Sequence, residues 1–260
     1  MFKKILPITF VMTLIAIFMY ADVAKTQQVV TDGLISYWTF DEADIDGKTA
    51  MDVFGKNDGI INGESQIVLG KVGEALDFDG VDDYVDCGDD ASLKLKDAFS
   101  FEFFIYPREN TQNRHIISRG IWNQGGYWVQ HSDPGHVGGI YLYLHDVYLD
   151  FIIPTGSSQL EVWQHFVITY DGTTVKSYKD GEFLNEAVAE GTIENIEGNF
   201  YISKYTGADM HYIDGIIDEV RVYKRAISQD EVESNMNAEG MAIESADKLA
   251  VTWGEMKVFR

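Results

Sequence analysis

Hydrophobic and polar positions alternate with a period of two along most of this chain. In 99–107, Phe99, Phe101, Phe103 and Ile105 fall on one side of an extended segment that stops at Pro107. In 215–223, Ile217, Glu219, Arg221 and Tyr223 alternate with Ile216, Asp218, Val220 and Val222, and in 162–170 Phe166, Ile168 and Tyr170 share a side. Shorter runs of the same kind occupy 33–41, 60–61, 75–79, 84–85, 115–119, 127–131, 139–145, 147–153 and 200–203. Asp171-Gly172 and Asp180-Gly181 supply the turn chemistry of successive hairpins, which makes the region after 162 a meander. Helical periodicity is confined to one place: Ser228 with Glu231 three residues on forms a capping box, and Val232 and Met236 then face inward. Many short strands at roughly ten-residue spacing predict an all-β fold, two antiparallel sheets packed face to face as a jelly-roll β-sandwich, with one short C-terminal helix.

Composition fits one packed domain. Hydrophobic residues make up 45% and aromatics 13% of the 260 positions, enough to fill an inter-sheet core. The formal charge of −22 repels phosphate backbones and anionic membrane surfaces, so nucleic acid is excluded as a partner and cations are favoured. Lys3 and Lys4 precede an uncharged apolar run from Ile5 to Tyr20, so 1–24 reads as an export signal, with Ala21 and Ala24 as candidate cleavage positions; the alternative is an uncleaved anchor. The expected destination is the cell surface, the periplasm or the medium, with no membrane insertion beyond that segment. Cys87 is the single cysteine, so no intrachain disulfide forms and stability must come from packing or a metal. Residues 238–260 form a tail without an assigned role, in which 249–254 reads as one more strand.

Two stretches carry candidate chemistry. Ala75 to Gly88 sets two short apolar strands around an acidic turn, which suits either a hard cation or plain solvated turn chemistry. Asp44-Ile-Asp46-Gly47 resembles part of an EF-hand loop, but the position that needs a bidentate Glu is Val53. The segment 121–145 mixes Trp122, Tyr127, Trp128, Tyr141 and Tyr143 with amides and imidazoles, the combination that stacks on a sugar ring and bonds its hydroxyls. Trp122, Asn123, Tyr127 and His131 are the expected ligand contacts, while Tyr141 and Tyr143, as strand aromatics, are expected to fill the core between the sheets. The six His residues form no His-Glu-x-x-His pattern, Cys87 lacks a nucleophile's context, and no phosphate-cradling Gly loop occurs.

Four blocks in order complete the reading: 34–42 (Leu-Ile-Ser-Tyr-Trp-Thr-Phe-Asp-Glu), 75–85 (Ala-Leu-Asp-Phe-Asp-Gly-Val-Asp-Asp-Tyr-Val), 163–172 (Trp-Gln-His-Phe-Val-Ile-Thr-Tyr-Asp-Gly) and 215–223 (Gly-Ile-Ile-Asp-Glu-Val-Arg-Val-Tyr). Together they resemble a laminin-G-like (LamG-like) jelly roll of the concanavalin A-like lectin and glucanase superfamily, over 33–237. The resemblance implies an extracellular module that binds a glycan or a cell-surface protein and holds a structural calcium. It also implies the ligands: Asp218 matches the closing-strand acid of that site, with Asp41 and Asp79 as companions. The glucan hydrolases of the superfamily carry Glu-x-Asp-x-x-Glu on one strand, which is missing here, so no catalytic residues are assigned. The expected function is therefore a non-enzymatic binding module. The alternatives are a glycoside hydrolase that draws its carboxylates from separate strands and a purely structural adhesion domain.

Overall fold

The computed structural model describes residues 28–238, apart from 123, 134–135, 146–150 and 195–196; in 133, 136–138 and 151–156 only the backbone is described. The strands in chain order are β1 (Leu34–Trp38), β2 (Ile45–Asp46), β3 (Thr49–Ala50), β4 (Gly59–Asn62), β5 (Gln66–Leu69), β6 (Glu74–Asp79), β7 (Tyr84–Asp86), β8 (Phe99–Pro107) and β9 (Arg114–Ile121). They continue with β10 (Gly125–Asp133), β11 (His136–Leu144), β12 (Phe151–Ser157), β13 (Gln164–Tyr170), β14 (Thr174–Lys179), β15 (Glu182–Val188), β16 (Tyr201–Ile202) and β17 (Asp214–Tyr223), followed by helix α1 (Gln229–Met236).

The strands form two sheets. One has eight strands in the order β15-β14-β13-β8-β17-β6-β5, with β1 also paired to β17; the other has nine, in the order β12-β11-β10-β9-β16-β7-β4-β3-β2. Phe99, Phe101 and Phe103 from the first sheet meet Tyr127, Val129, Ile140 and Leu142 from the second in one fully buried core. The two-sheet antiparallel sandwich with a short C-terminal helix is as the alternation requires. Among the described residues no helix is long and apolar enough to cross a membrane. The export-signal segment and the strand expected near 249–254 lie outside the described residues, as does most of the start of the strand expected over 147–153.

Local chemistry explains the connections. Asp180 and Gly181 both have positive φ, 51° and 83°, the conformation a tight β14–β15 hairpin needs. In α1 the Ser228 hydroxyl accepts from the Glu231 N–H at 3.4 Å and the Glu231 carboxylate accepts from the Ser228 N–H at 2.7 Å. Val232 is buried as expected; its buried companion is Asn235, and Met236 is only partly covered. Strand β5 has no alternating pattern strong enough to announce it, and it sits at a sheet edge with Leu69 exposed.

One departure from simple alternation matters for function. The sequence pattern sets Glu219 on the side of Ile217, opposite Asp218. Instead the β17 register slips between Asp218 and Arg221, and Glu219 takes φ of 56°. This bulge puts Ile217, Val220 and Val222 in the core and leaves Asp218 and Glu219 both turned away from it.

Candidate functional site

On the nine-stranded sheet, alternation decides which aromatics can meet a ligand. In β10, Tyr127 and Val129 enter the core, so Trp128 and Gln130 face outward; in β11, Ile140, Leu142 and Leu144 enter the core, so Tyr141 and Tyr143 face outward. Trp128 lies directly opposite Tyr143 in register, and their rings stack at 3.8 Å with 11° between planes. Trp122 follows β9, its ring 5.0 Å from Tyr143 and 6.2 Å from Trp128. Trp128 and Tyr143 are buried, whereas Trp122 is 51% exposed, so the stack offers solvent one aromatic face on a rigid base.

A loop distant in sequence completes this platform. The segment after β16 folds back over β9: the Ser118 hydroxyl meets the Thr206 hydroxyl at 2.8 Å and donates to the Lys204 carbonyl, and the Gly120 N–H donates to Thr206 Oγ1. Tyr205 is thereby held 6.0 Å from Trp128, edge to face, and its hydroxyl accepts the Trp122 backbone N–H at 2.7 Å. His115 lies 4.9 Å from Tyr205 and stacks on His211 at 5.6 Å. Burial pushes the His115 imidazole well down; His211 is lowered by burial and then by Arg114, so both rings are uncharged near neutral pH.

Of the expected ligand contacts, Trp122 is on this surface and Asn123 lies outside the described residues. Tyr127 does not join it: it is fully buried between Phe99 and Phe101, and its hydroxyl donates to the Leu93 carbonyl at 2.6 Å. Nor does His131, which pairs in register with the core residue Ile140 on the inner side, with Nε2 2.5 Å from the Ser158 hydroxyl. Burial, partly opposed by Glu109, pushes His131 down to about 4. Tyr143, expected between the sheets, is instead the centre of the outer stack, because the inward places of β11 go to its aliphatic residues. The period-2 pattern of 127–131 and 140–144 contains this assignment, but nothing local to Tyr205 or His211 signals that their loop returns to Trp122.

The acidic candidates separate into two places. Asp218 Oδ2 accepts the backbone N–H groups of Lys71 (2.8 Å) and Val72 (2.9 Å), while Asp41 Oδ1 accepts that of Glu74 (2.6 Å). The β5–β6 turn therefore grips both carboxylates. Its glycines permit the approach: a Cβ at Gly70 would stand 2.6 Å from Asp218 Oδ2, and one at Gly73, where φ is 60°, 2.2 Å from Asp41 Oδ1. Glu219 joins them through the bulge. Buried Asp218 Oδ1 and Glu219 Oε1 have no hydrogen-bond partner among the described residues. Burial, then the charge of Glu219, push Asp218 up to about 8, with the Val72 and Lys71 N–H groups working against the rise. Glu219 is also raised by burial, against the pull of Arg221.

Asp79 stands elsewhere. Its register partner on β17 is Asp214, four residues before Asp218, which at the usual rise is about 13 Å along the strand. Asp79, Asp82 and Asp83 have carboxylate oxygens within 4.8 Å of one another, close enough to hold a metal ion. Those oxygens already accept backbone N–H groups: Asp79 from Val81 and Asp82, and Asp83 from Glu64 and Asp79.

Behind the first carboxylate group lies a buried polar network, between the eight-stranded sheet and α1. Arg221 donates to Glu102 at 3.0 Å and also to Glu219 and Tyr37, and its guanidinium lies 4.6 Å from the Tyr37 ring centre. Glu102 further accepts from Asn235 at 2.7 Å and contacts His165 Nε2 at 2.8 Å. Burial would raise Glu102, but Arg221, then His165 and Asn235, outweigh it and hold the carboxyl below its ordinary range. These carboxylates are committed to structure.

Sandwich, alternating sheets and closing-strand acid together define the class. A family model described as Laminin_G_3, concanavalin A-like lectin/glucanases superfamily, matches residues 79–233, and the chain belongs to that family. No curated protein matches the sequence. Among solved structures it is similar to domain 4 of AbnA, a GH43 extracellular arabinanase from Geobacillus stearothermophilus, in complex with arabinotriose: 18% identity over 78% of this chain and 98% of that one, TM-score 0.60. It is also similar to the binding domain of Paraclostridial Mosquitocidal Protein 1 (16% identity, 79% of this chain and 52% of that one, TM-score 0.59). A third is Trypanosoma rangeli sialidase in complex with sialic acid (19% identity, 82% of this chain and 34% of that one, TM-score 0.58). This chain thus spans about half of the toxin structure and a third of the sialidase. At these identities the likeness is one of fold.

Proposed function

We propose that this protein is a secreted or cell-surface, non-enzymatic module that binds a glycan through the Trp122 platform. The observation that carries the reading is the stack of Trp122 on Tyr143 and Trp128, with Tyr205 holding the Trp122 backbone. A single exposed aromatic face, fixed from behind and bordered by the partly exposed Tyr205, suits the apolar side of a sugar ring and its hydroxyls. The arabinotriose complex of a domain with the same fold supports it. Buried Glu102 and Glu219 are tied into the Arg221 network on the other sheet, which supports binding without hydrolysis.

Calcium is the structural metal in this reading, held by Asp41, Asp218 and Glu219. The donor set fits a hard cation: three carboxylates, two of them with an orphaned buried oxygen. A bound cation would supply the positive charge that Asp218 lacks, beside the Arg221 already paired with Glu219, and so fix the β5–β6 turn against β17. A glycan array run with calcium and with chelator, beside an assay of reducing-sugar release, tests the proposal. Binding without release is the expected result; steady turnover would make the protein a hydrolase, and silence in both assays would leave an adhesion domain.

A further inference from the structure

The platform carries an electrostatic signature that narrows its ligand. Between Arg119 and Lys176 the chain contains no Lys or Arg, and this stretch supplies all of β10, β11 and β12 as well as Trp122. The basic residues that approach from other elements are already engaged. Lys204, at the start of the Tyr205 loop, pairs with Asp209 at 2.6 Å and lies 4.2 Å from the Tyr84 ring centre and 4.9 Å from that of Tyr201. Arg114 pairs with Glu109 at 2.8 Å, and buried Arg119 pairs with Asp89. The two imidazoles beside Tyr205 are uncharged near neutral pH, and the whole chain carries −22.

An anionic sugar is recognised by a bidentate arginine or a free ammonium, and among the described residues of this surface neither stands in reserve. We infer that the Trp122 platform takes uncharged glycans and rejects chains bearing a carboxylate at the bound sugar, such as sialylated or uronate-containing oligosaccharides. This rests on the glycan-binding reading above. Stacking and hydroxyl hydrogen bonds supply the affinity, and the uncompensated negative field supplies the discrimination.

The test uses matched oligosaccharide pairs that differ only by a sialic acid or by a hexuronate in place of the hexose, titrated against the purified protein at 0.15 M and at 1 M salt. The inference predicts that neutral members bind with little salt dependence. Their acidic counterparts should be at least about tenfold weaker at 0.15 M salt, and the gap should narrow at 1 M salt, where the screening length falls to about 3 Å. Gln124→Arg, which adds a cation on the exposed turn next to Trp122, should narrow the gap at 0.15 M salt. Equal or tighter binding of the acidic members by the unaltered protein would overturn the inference while leaving glycan binding intact. Failure of both members of every pair would overturn the glycan reading and the inference with it.

Discussion

Asp41 and Asp218, one just after the first strand and the other in the last, accept backbone N–H groups from the two ends of a single turn, Lys71 and Val72 on one side and Glu74 on the other. Two carboxylates brought together in a largely buried place repel each other, and the turn's three N–H groups offset only part of that cost. Added calcium should therefore raise the melting temperature and a chelator should lower it. At a hundredfold excess over the dissociation constant the gain is about 2.7 kcal/mol, or several degrees for a domain of this size. Asp218→Asn keeps an oxygen for the Lys71 and Val72 N–H groups but removes the charge. It should abolish the response to calcium and, in chelator, be at least as stable as the wild type. Loss of stability in chelator would count against this account.

The same carboxyl sets a pH dependence. With Asp218 raised to about 8 in the folded state and ordinary when unfolded, the unfolded chain releases this proton near pH 4 and the folded chain does not. Stability from this group is full below about pH 4, falls as pH rises towards 8, and is level beyond. His131, lowered to about 4, contributes in the opposite sense between pH 4 and 6.5, so single curves mix the two. The difference between melting curves of wild type and Asp218→Asn, both in chelator, isolates Asp218. The variant's advantage should grow from pH 4 to pH 8, and an advantage independent of pH would contradict the assignment.

Arg221 holds Glu102, Glu219 and Tyr37 at once in the interior. Arg221→Met leaves two buried carboxylates without their cation and should cost about 3–5 kcal/mol, read from the denaturant midpoint. Arg221→Lys should recover little, because one ammonium cannot reproduce the forked geometry. A small loss in both variants would mean that the network is solvated.

Tyr205 acts on the platform through Trp122 rather than by charge. Tyr205→Phe removes the oxygen that accepts the Trp122 N–H and should weaken glycan binding several-fold, in line with about 1 kcal/mol for one hydrogen bond, with the melting temperature little changed. Unchanged affinity would remove Tyr205 from the positioning role.

The sheets were legible because period-2 alternation is a property of neighbouring residues, and the Ser228–Glu231 box is equally local. The site was legible only in pieces. Trp122 stood out in its loop, yet Tyr127 and His131 belong to the inner face, a distinction that depends on strand phase and not on residue type. The Glu219 bulge breaks the phase altogether: a single residue at positive φ turns two acids outward, and the amino acids around it look like any alternating strand. Tyr205 and His211 reach the platform because hydrogen bonds from Ser118 and Gly120 fold their loop back, a relation between distant segments. Asp79 shows the converse. Its sequence context is the more acidic, yet the β6–β17 register keeps it with Asp82 and Asp83, away from Asp218.

Glycan binding on the Trp122 face is tested most directly by titrating wild type and Trp122→Ala with the neutral oligosaccharides that a glycan array selects, following tryptophan fluorescence and calorimetric heat together. The variant removes a half-exposed side chain and should keep the wild-type melting temperature to within a degree or two. Binding should be saturable in the wild type and at least about tenfold weaker in the variant, as expected for loss of a central aromatic anchor. Equal affinity in the two proteins, or no saturable binding by the wild type, would contradict the account.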